Sequence, residues 1–377
     1  MTAMKPAKYL IQHEDALETP PDLLDTFITP TEHFFVCSAT QTPLIDIKTY
    51  VIEISGDAVE RPVTLTFDDL VRMPARTFAA YLECAGNHRA LFSRIHGKEP
   101  QTNGDLVMTP WMIGGIGNAI WTGVSLSDVL ALAGVKETAV DVNIKGLDRD
   151  APEGGVSRPI PIEKALDPDT ILAYMMNGGM LPPDHGAPVR LVVPGWIGAN
   201  SIKWVGSITV SSEKIWVERN TKHYVMIGDE WAGDHEHGVL GGEITTQTIK
   251  SSLLLPWNVV FRRETKLIRG IARSPHAPIQ RVEWCIYDIN GEWVRGGHAQ
   301  LLPPFFKHAW VHFEFEWDDA IPGEYTITTR AVDRAGNAEP MEIPFNQEGY
   351  LFNQVYGHPV KVKLVLDKTD MWVSNGS

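Results

Sequence analysis

The sequence has little cysteine and comparatively little positive charge. Its 377 residues include only three cysteines, Cys37, Cys84 and Cys285. They are too few and too widely spaced for a disulfide framework, and no pair has the CxxC spacing of a redox motif. Lysine and arginine number 33 against 47 aspartates and glutamates, which gives a net charge of −14. An acidic chain gains no counterion-release energy from a phosphate backbone, so this balance argues against nucleic acid as a partner.

Long apolar runs are missing as well. Because no stretch of about 18 apolar residues occurs, the sequence predicts no membrane-spanning helix and no membrane partner. The first residues, MTAMKPAKYLIQHEDALETPPD, contain neither an apolar core segment nor a twin arginine. We therefore expect no export signal and a cytoplasmic location.

The chain is long enough for two domains, and its apolar fraction of 44% is sufficient for a substantial core. Residues 1–30 are polar and rich in proline, and we expect them to lie on the surface. Short helices and strands mix from about Tyr50, whereas after about Gly238 strands recur at sandwich-like spacing. The sequence thus predicts an α+β fold, with a first domain over residues 1–240 and an all-β domain over residues 241–377.

Cys84 is the first candidate for chemistry, at the end of the apolar strand in YLECAGNHRALF. Gly86 and Asn87 predict a tight turn after it. His88 and Arg89 raise the local positive potential, which favours a thiolate. A thiolate at such a corner suits a soft metal ion. The alternative is a buried structural cysteine, the usual role of a lone cysteine.

A second candidate region is LPPDHGAPVRLVVPGWIGANSIKWV, which places His185, Arg190 and Lys203 around an apolar strand. A charge within the run VRLVV is costly to bury without a partner. We expect the three side chains to converge on an anion, and a phosphate suits a guanidinium combined with an ammonium. The alternative is a structural ion pair between Arg190 and a carboxylate such as Asp184.

Three motifs together resemble the sulfite oxidase family of molybdopterin enzymes: CAGN, WTGVSLSDVL and the long run NG-x-x-LP-x-DHG-x-PVR-x-VVPG-x-x-G-x-x-x-x-KW. The region with RVEWCIYDINGEW and RAVDRAGNAEP resembles the family's immunoglobulin-like dimerisation domain. The resemblance implies a molybdopterin-binding catalytic domain followed by an immunoglobulin-like β-sandwich. It also implies a molybdenum–molybdopterin cofactor, oxygen-atom transfer and a homodimer.

The resemblance assigns roles to individual residues. Cys84 corresponds to the molybdenum ligand, Tyr224 to the active-site tyrosine, and Arg89 to one arginine of the sulfite pocket. The other residues that correspond to cofactor contacts are Phe35, Val36, Cys37, Ser38, Ala39, Asp148, His185, Arg190, Ser201, Ile202 and Lys203.

Two departures from the family pattern concern the sulfite pocket. Cys37, in FFVCSATQTP, stands where the family has an arginine, with Ser38 and Ala39 in place of asparagine and histidine. Glu348, in FNQEGYLFN, stands where the family has a further arginine. Losing charge-assisted hydrogen bonds of about 1.5–3 kcal/mol each would weaken the binding of a dianion greatly. We therefore expect the cofactor to be retained and sulfite to be a poor substrate, unless a rearranged loop turns Glu348 towards solvent.

The expected partners are a small-molecule substrate and a separate electron acceptor, since no CxxCH run or room for a haem domain is present and no haem is expected. Three alternatives stay open. The chain could oxidise sulfite with a rearranged pocket, act on a neutral or cationic substrate, or be a non-catalytic homologue that keeps the fold. The cluster GDHEH at residues 233–237 is either a structural metal site or, as we favour, a solvated loop.

Overall fold

The chain is built mainly from strands, with a few short helices. The computed structural model describes residues 7–38, 40–104, 107–151, 153–262, 267–318 and 320–364. In the first part of the chain the strands are β1 (Ile11–Gln12), β2 (Ala16–Glu18), β3 (Val36–Cys37), β4 (Val51–Ser55), β5 (Val63–Thr66), β6 (Ala75–Glu83), β7 (Ile116–Ser125), β8 (Asp141–Gly146), β9 (Ser157–Pro161), β10 (Ile171–Met176), β11 (Gly179–Met180), β12 (Arg190–Val192), β13 (Val205–Ser211), β14 (Val225–Met226) and β15 (Gly242–Glu243).

Helices occur only between these strands of the described chain. They are α1 (Phe67–Arg72), α2 (Leu126–Ala133), α3 (Ile162–Ala165) and α4 (Glu218–Thr221). A capping box fixes the start of α1, because Thr66 Oγ1 accepts from the Asp69 N–H at 3.1 Å and the Asp69 carboxylate accepts from the Thr66 N–H at 3.0 Å. In the described part of the chain, none of the helices combines the length and apolar character needed to cross a membrane.

Two five-stranded sheets form the body of this first part. One has the order β5-β4-β13-β8-β9, and the other has β11-β10-β7-β6 with β12 paired to β10. Buried residues from both sheets belong to one hydrophobic cluster, among them Ile54, Ile208, Val124 and Leu172. Because β6 and β12 belong to the same sheet, Cys84 after β6 and Arg190 at the start of β12 are carried by one rigid element.

The remainder of the chain is all-β. Its strands are β16 (Lys250–Leu253), β17 (Val259–Arg262), β18 (Leu267–Arg273), β19 (Ile279–Asp288), β20 (Trp293–His298), β21 (Gln300–Leu302), β22 (Val311–Glu316), β23 (Gly323–Asp333) and β24 (His358–Lys363). They form two sheets, with orders β16-β18-β22-β21 and β17-β24-β23-β19-β20. Both contribute to a single core, in which Trp284 of β19 stacks on Phe315 of β22 at 4.3 Å between ring centroids. The strands predicted in this region from the sequence are confirmed.

The N-terminal segment is not a surface wrap, contrary to the expectation for residues 1–30. Ala16, Leu17 and Leu24 are fully buried. The segment forms a small antiparallel sheet, in which Ala16 pairs with Cys37. The sequence-based expectation was wrong because the few apolar residues among many polar ones suffice to anchor the segment. This pairing also brings Asp15 close to Cys37.

Candidate active site

One cavity collects nearly all of the predicted site residues. Those that line it are Phe35, Val36, Cys37, Ser38, Cys84, Arg89, Asp148, His185, Arg190, Ser201, Ile202, Lys203 and Tyr224. Ala39 lies outside the described residues. The structure thus brings together four segments that are far apart in sequence.

Cys84 follows β6 directly, and its backbone is fixed on both sides. Its N–H donates to the Gly115 carbonyl at 2.8 Å, and its carbonyl accepts from the Asn87 N–H at 3.0 Å, so the predicted turn is present. The neighbouring Cys37 thiol lowers the pKa of Cys84 to about 7, and the charge of Arg89 adds to this effect against the opposing effect of burial. The same contact raises the pKa of Cys37. This direction of the pKa shift favours the thiolate, the form of cysteine that binds soft metal ions.

Arg190 is a buried cation at one end of the cavity. Its Nη1 donates to the His185 carbonyl at 3.1 Å, and its Nη2 donates to the Ser201 carbonyl at 3.0 Å. It forms no ion pair with a carboxylate of the described residues, so the pair with Asp184 considered above is not made. Burial lowers the pKa of Arg190 to about 9. A buried guanidinium held only by carbonyls favours an anionic ligand beside it.

Lys203 is the second cation at this end, and it is partly buried. Its Nζ donates to the Asp184 carbonyl at 3.1 Å and to the Ser38 hydroxyl, and it lies 4.4 Å from the centroid of the Trp204 ring. Burial lowers the pKa of Lys203 to about 8, and repulsion from Arg190 contributes to the same shift. An anion placed near both side chains would relieve that repulsion.

Two further polar groups border this end. Asp148 is buried and accepts from the Thr40 hydroxyl at 2.9 Å. The His185 ring is buried too and meets Phe34 edge to face at 5.5 Å. A ligand at this end of the cavity therefore meets a carboxylate and an imidazole in addition to the two cations.

Arg89 lies in another part of the cavity wall. Its Nε donates to the Glu348 carbonyl at 2.8 Å and its Nη1 to the Thr109 carbonyl at 2.9 Å. A side chain at Gly86, two residues after Cys84, would put a Cβ 2.5 Å from Arg89 Nη2 and would displace the guanidinium. Asp15 lies nearby, because its Oδ1 accepts from the Thr109 hydroxyl at 2.8 Å. Burial raises the pKa of Asp15.

Two tyrosines are stacked between two arginines in the cavity wall. The Tyr224 and Tyr350 rings lie 5.3 Å apart and nearly parallel. The Arg89 guanidinium lies 5.1 Å from the Tyr350 ring, and Arg158 lies 5.2 Å from the Tyr224 ring. Arg158 is itself fixed by Asn200 at 3.1 Å. Such cation–π and stacking contacts hold both phenols in one orientation.

Glu348 does not turn towards solvent, because it is fully buried behind Arg89. Its Oε1 accepts from the Asn103 N–H at 3.2 Å and lies 3.4 Å from His223 Nδ1. Its Oε2 has no hydrogen-bond partner among the described residues. The position that carries an arginine in the family pattern therefore places an acid in the interior.

Among the ionisable residues that line the cavity, sequence reasoning missed Asp15, Arg219 and Tyr350. Asp15 was missed because its segment was assigned to the surface. Arg219 lies five residues before Tyr224, and Tyr350 lies two residues after Glu348. For Arg219 and Tyr350, the closeness to Tyr224 and Glu348 was the only signal in the sequence.

The cluster at residues 233–237 lies apart from this cavity. His237 Nδ1 lies 2.7 Å from Asp234 Oδ2, and both side chains are exposed. The His237 ring stacks on Trp216 at 4.7 Å. In the described ranges, no group of three or more histidine, cysteine, aspartate or glutamate side chains is arranged to hold a metal ion. The structure therefore favours the loop interpretation.

Comparison with known proteins gives consistent matches. Residues 39–217 match the family described as "Oxidoreductase molybdopterin binding domain". The chain is 37% identical to mitochondrial sulfite oxidase of Rattus norvegicus, over 92% of the chain and 64% of that protein. It is 30% identical to sulfite oxidase of Arabidopsis thaliana, over 87% of each. The crystal structure of the sulfane dehydrogenase SoxCD from Paracoccus pantotrophus matches with a TM-score of 0.77 and 28% identity, over 94% of the chain and 87% of that chain.

Two consequences concern extent and location. The chain spans just under two thirds of the length of the rat relative. The rat, human and Drosophila melanogaster relatives are named as mitochondrial proteins, which contradicts the cytoplasmic location expected above. The composition of the first residues was therefore a poor guide to the compartment.

Proposed function

The chain belongs to the sulfite oxidase family of molybdopterin oxidoreductases, and from that premise we propose that it transfers oxygen atoms at a molybdenum centre ligated by Cys84. The observation that carries the proposal is one cavity lined by the Cys84 thiol together with Arg190, Lys203, Arg89 and Tyr224. The sulfite oxidases and the sulfane dehydrogenase among the relatives support sulfur as the element to be oxidised.

The residues present fit a molybdenum–pterin group. Arg190 is a buried cation and Lys203 a partly buried one, neither forms a salt bridge in the described chain, and both suit the phosphate of such a cofactor. Asp148 and His185 would bind polar atoms of the pterin beside them. When bound, the group would supply the two-electron redox change and the exchange of an oxygen atom with water.

The remaining cavity residues act on the substrate. Arg89 Nη2 makes no hydrogen bond to the described residues, whereas Nε and Nη1 are held by carbonyls, so one fixed donor is left for a substrate oxygen. Tyr224, stacked between Arg158 and Tyr350, would orient the substrate through its hydroxyl. Oxidation with water releases protons. Asp15, a half-buried carboxylate with a raised pKa, is placed to accept one at Oδ2.

The substrate we propose carries less negative charge than sulfite. Two expected arginines are absent, at Cys37 and Glu348, and the acid that replaces one of them is buried. The second candidate function is sulfite oxidation itself. The names of the relatives favour it, and so does Arg219, a cavity-lining guanidinium without a partner among the described residues that could replace a missing arginine.

We also propose that the two-sheet part after residue 241 is immunoglobulin-like and forms a homodimer interface, and that electrons pass to a separate acceptor. The proposed boundary precedes β16, the first strand of the C-terminal core. This agreement supports the domain division at residues 240 and 241.

Metal analysis of the purified protein is the test of the cofactor assignment. We expect about one molybdenum per chain, and loss of activity in Cys84→Ser. Cys285→Ser is the matched control, since Cys285 lies in β19 outside the cavity. An active protein without molybdenum, or a Cys84→Ser variant with unchanged turnover, would refute the proposal.

A further inference from the structure

We propose that Tyr350 is a substrate-binding residue, and that with Arg89 it forms a site for a monoanionic organic sulfinate, R–SO₂⁻. This inference rests on the proposed function, because it names the substrate class of the same cavity. A sulfinate resembles sulfite in its sulfur lone pair and oxygens, but it has one negative charge fewer and an organic group in place of one oxygen.

Tyr350 has a buried hydroxyl that is free to donate. The residue lines the cavity and is 1% exposed, yet its O–H donates to no acceptor among the described residues. The Tyr224 backbone N–H points to the phenol oxygen and can only donate to it, so the O–H proton of Tyr350 remains available to a ligand. A buried donor without a partner costs stability unless a ligand accepts from it, so this group needs an explanation.

Hydrogen bonds to the backbone of Tyr350 and contacts with its ring hold this residue in one position. Asn346 Oδ1 accepts from the Tyr350 N–H at 2.8 Å, and Asn346 Nδ2 donates to the Tyr350 carbonyl at 2.9 Å. Tyr224 covers one face of the ring, and Arg89 lies over it at 5.1 Å. The phenol therefore loses little conformational freedom when a ligand binds.

The charge of this end of the cavity suits a monoanion. Its lining ionisable side chains are Arg89, Arg219 and Asp15, and Glu348 is buried directly behind Arg89. Asp15 and Glu348 thus offset much of the positive charge of Arg89 and Arg219, whereas the family pattern has an arginine in place of Glu348. A neutral phenol donor contributes a hydrogen bond without adding charge. A dianion such as sulfite would therefore be under-compensated, whereas a monoanion would be matched.

Apolar side chains provide room for an organic group. Trp111 and Phe35 line the cavity and contact each other edge to face at 5.9 Å. Val107 lines it as well and is 40% exposed, so it lies where the cavity meets solvent. The substituent of a sulfinate would pack on this wall and extend outwards, while its two oxygens accept from Arg89 and Tyr350.

The reaction balances as R–SO₂⁻ + H₂O → R–SO₃⁻ + 2 H⁺ + 2 e⁻. Sulfur gains one oxygen that originates from water and is oxidised by two electrons. Two equivalents of a one-electron acceptor, such as ferricyanide in the assay, take up the electrons.

The test uses the purified holoenzyme with methanesulfinate and sulfite as substrates and ferricyanide as acceptor. We expect kcat/KM for methanesulfinate to exceed that for sulfite by about tenfold or more, the effect of one uncompensated charge-assisted hydrogen bond. Calorimetric titration with methanesulfonate, which is not oxidised, measures binding apart from turnover. Tyr350→Phe should weaken that binding about tenfold or more, the usual effect of losing one hydrogen bond to a charged acceptor.

Tyr356→Phe is the matched control. The Tyr356 hydroxyl is also buried and without a partner in the described chain, but it does not line the cavity. Methanesulfonate binding unchanged within twofold in Tyr350→Phe, or equal losses in both variants, would overturn the role of Tyr350. A molybdenum-loaded enzyme that prefers sulfite overturns the substrate class and the proposed preference for less charged substrates, and it leaves the proposed oxygen-atom transfer at a Cys84-ligated molybdenum intact. A protein without molybdenum overturns the proposed function, and the binding titrations still decide the role of Tyr350.

Discussion

Replacing Arg190 by methionine should have different effects on the cofactor-free protein and on cofactor retention. Burial lowers the pKa of Arg190 from 12.5 to about 9. At 1.36 kcal/mol per pKa unit, the unpaired charge costs the folded protein roughly 4–5 kcal/mol. Methionine removes that cost and keeps most of the volume. It also leaves the carbonyls of His185 and Ser201 without their donor, at about 1–3 kcal/mol each.

These effects nearly cancel, so the free energy of unfolding of cofactor-free protein should change by less than about 2 kcal/mol. Cofactor retention should respond strongly. Loss of a charge-assisted bond of about 1.5–3 kcal/mol corresponds to roughly 10- to 150-fold weaker binding. Denaturant unfolding of protein from a pterin-deficient host measures the first quantity. Molybdenum and pterin content of protein from a normal host measure the second.

Arg273→Met is the matched control for a buried arginine that does have a carboxylate partner. Arg273 Nε donates to Glu83 Oε2 at 2.9 Å, and both side chains are fully buried. Removing one partner of such a pair typically costs about 3–5 kcal/mol. If Arg190→Met destabilises the cofactor-free protein as much as Arg273→Met does, Arg190 has a structural role and the argument for an anion site fails.

Three more predictions follow from the charges and sheets. The pKa of Lys203 is about 8 in the folded protein against 10.5 in the unfolded chain, so its charge destabilises the fold fully below pH 8, and this cost is relieved as the pH rises to about 10.5. The free energy of unfolding from denaturant curves should therefore rise less over that pH range in Lys203→Met than in the unaltered protein. Equal rises in the two proteins would contradict the assignment. We expect the kcat/KM for sulfite to lie below roughly 10⁵ M⁻¹s⁻¹ in the unaltered enzyme. The double variant Cys37→Arg, Glu348→Arg should raise it, and no change would show that the pocket was misread. Sedimentation should give a dimer at micromolar concentration, and a strict monomer would argue against the proposed interface.

The sequence predicted the part of the site that lies within short segments. Cys84, Arg89, His185 and Arg190 stand next to turn residues or apolar strands, so their chemistry could be argued from their immediate neighbours. Their meeting in one cavity depends on the order of strands in a sheet, which in the sequence analysis rested on the family resemblance. The structure supplies that order through β6 and β12.

The rest could not be predicted because it depends on contacts between distant residues. Tyr350 stacks on Tyr224, which lies more than a hundred positions earlier, and no local pattern marks either ring as a partner. Asp15 reaches the cavity only because β2 pairs with β3, two strands of two or three residues each. Strands this short leave almost no periodic signal. The burial of Glu348 likewise depends on the whole C-terminal loop.

Contacts between residues that are distant in sequence also explain why the C-terminal part of the chain belongs to the site. Glu83, the residue before Cys84, is fully buried. Burial alone would raise the pKa of Glu83, but the charges of Arg273 and Lys250 outweigh this effect and lower it. Lys250 Nζ donates to Glu83 Oε1 at 3.0 Å. Lys250 lies on β16 and Arg273 on β18, which are neighbouring strands of one C-terminal sheet. Without these two cations, an uncompensated carboxylate would remain buried beside the proposed metal ligand. The geometry of Cys84 is therefore stabilised from the second part of the chain, which also contributes Tyr350 to the cavity.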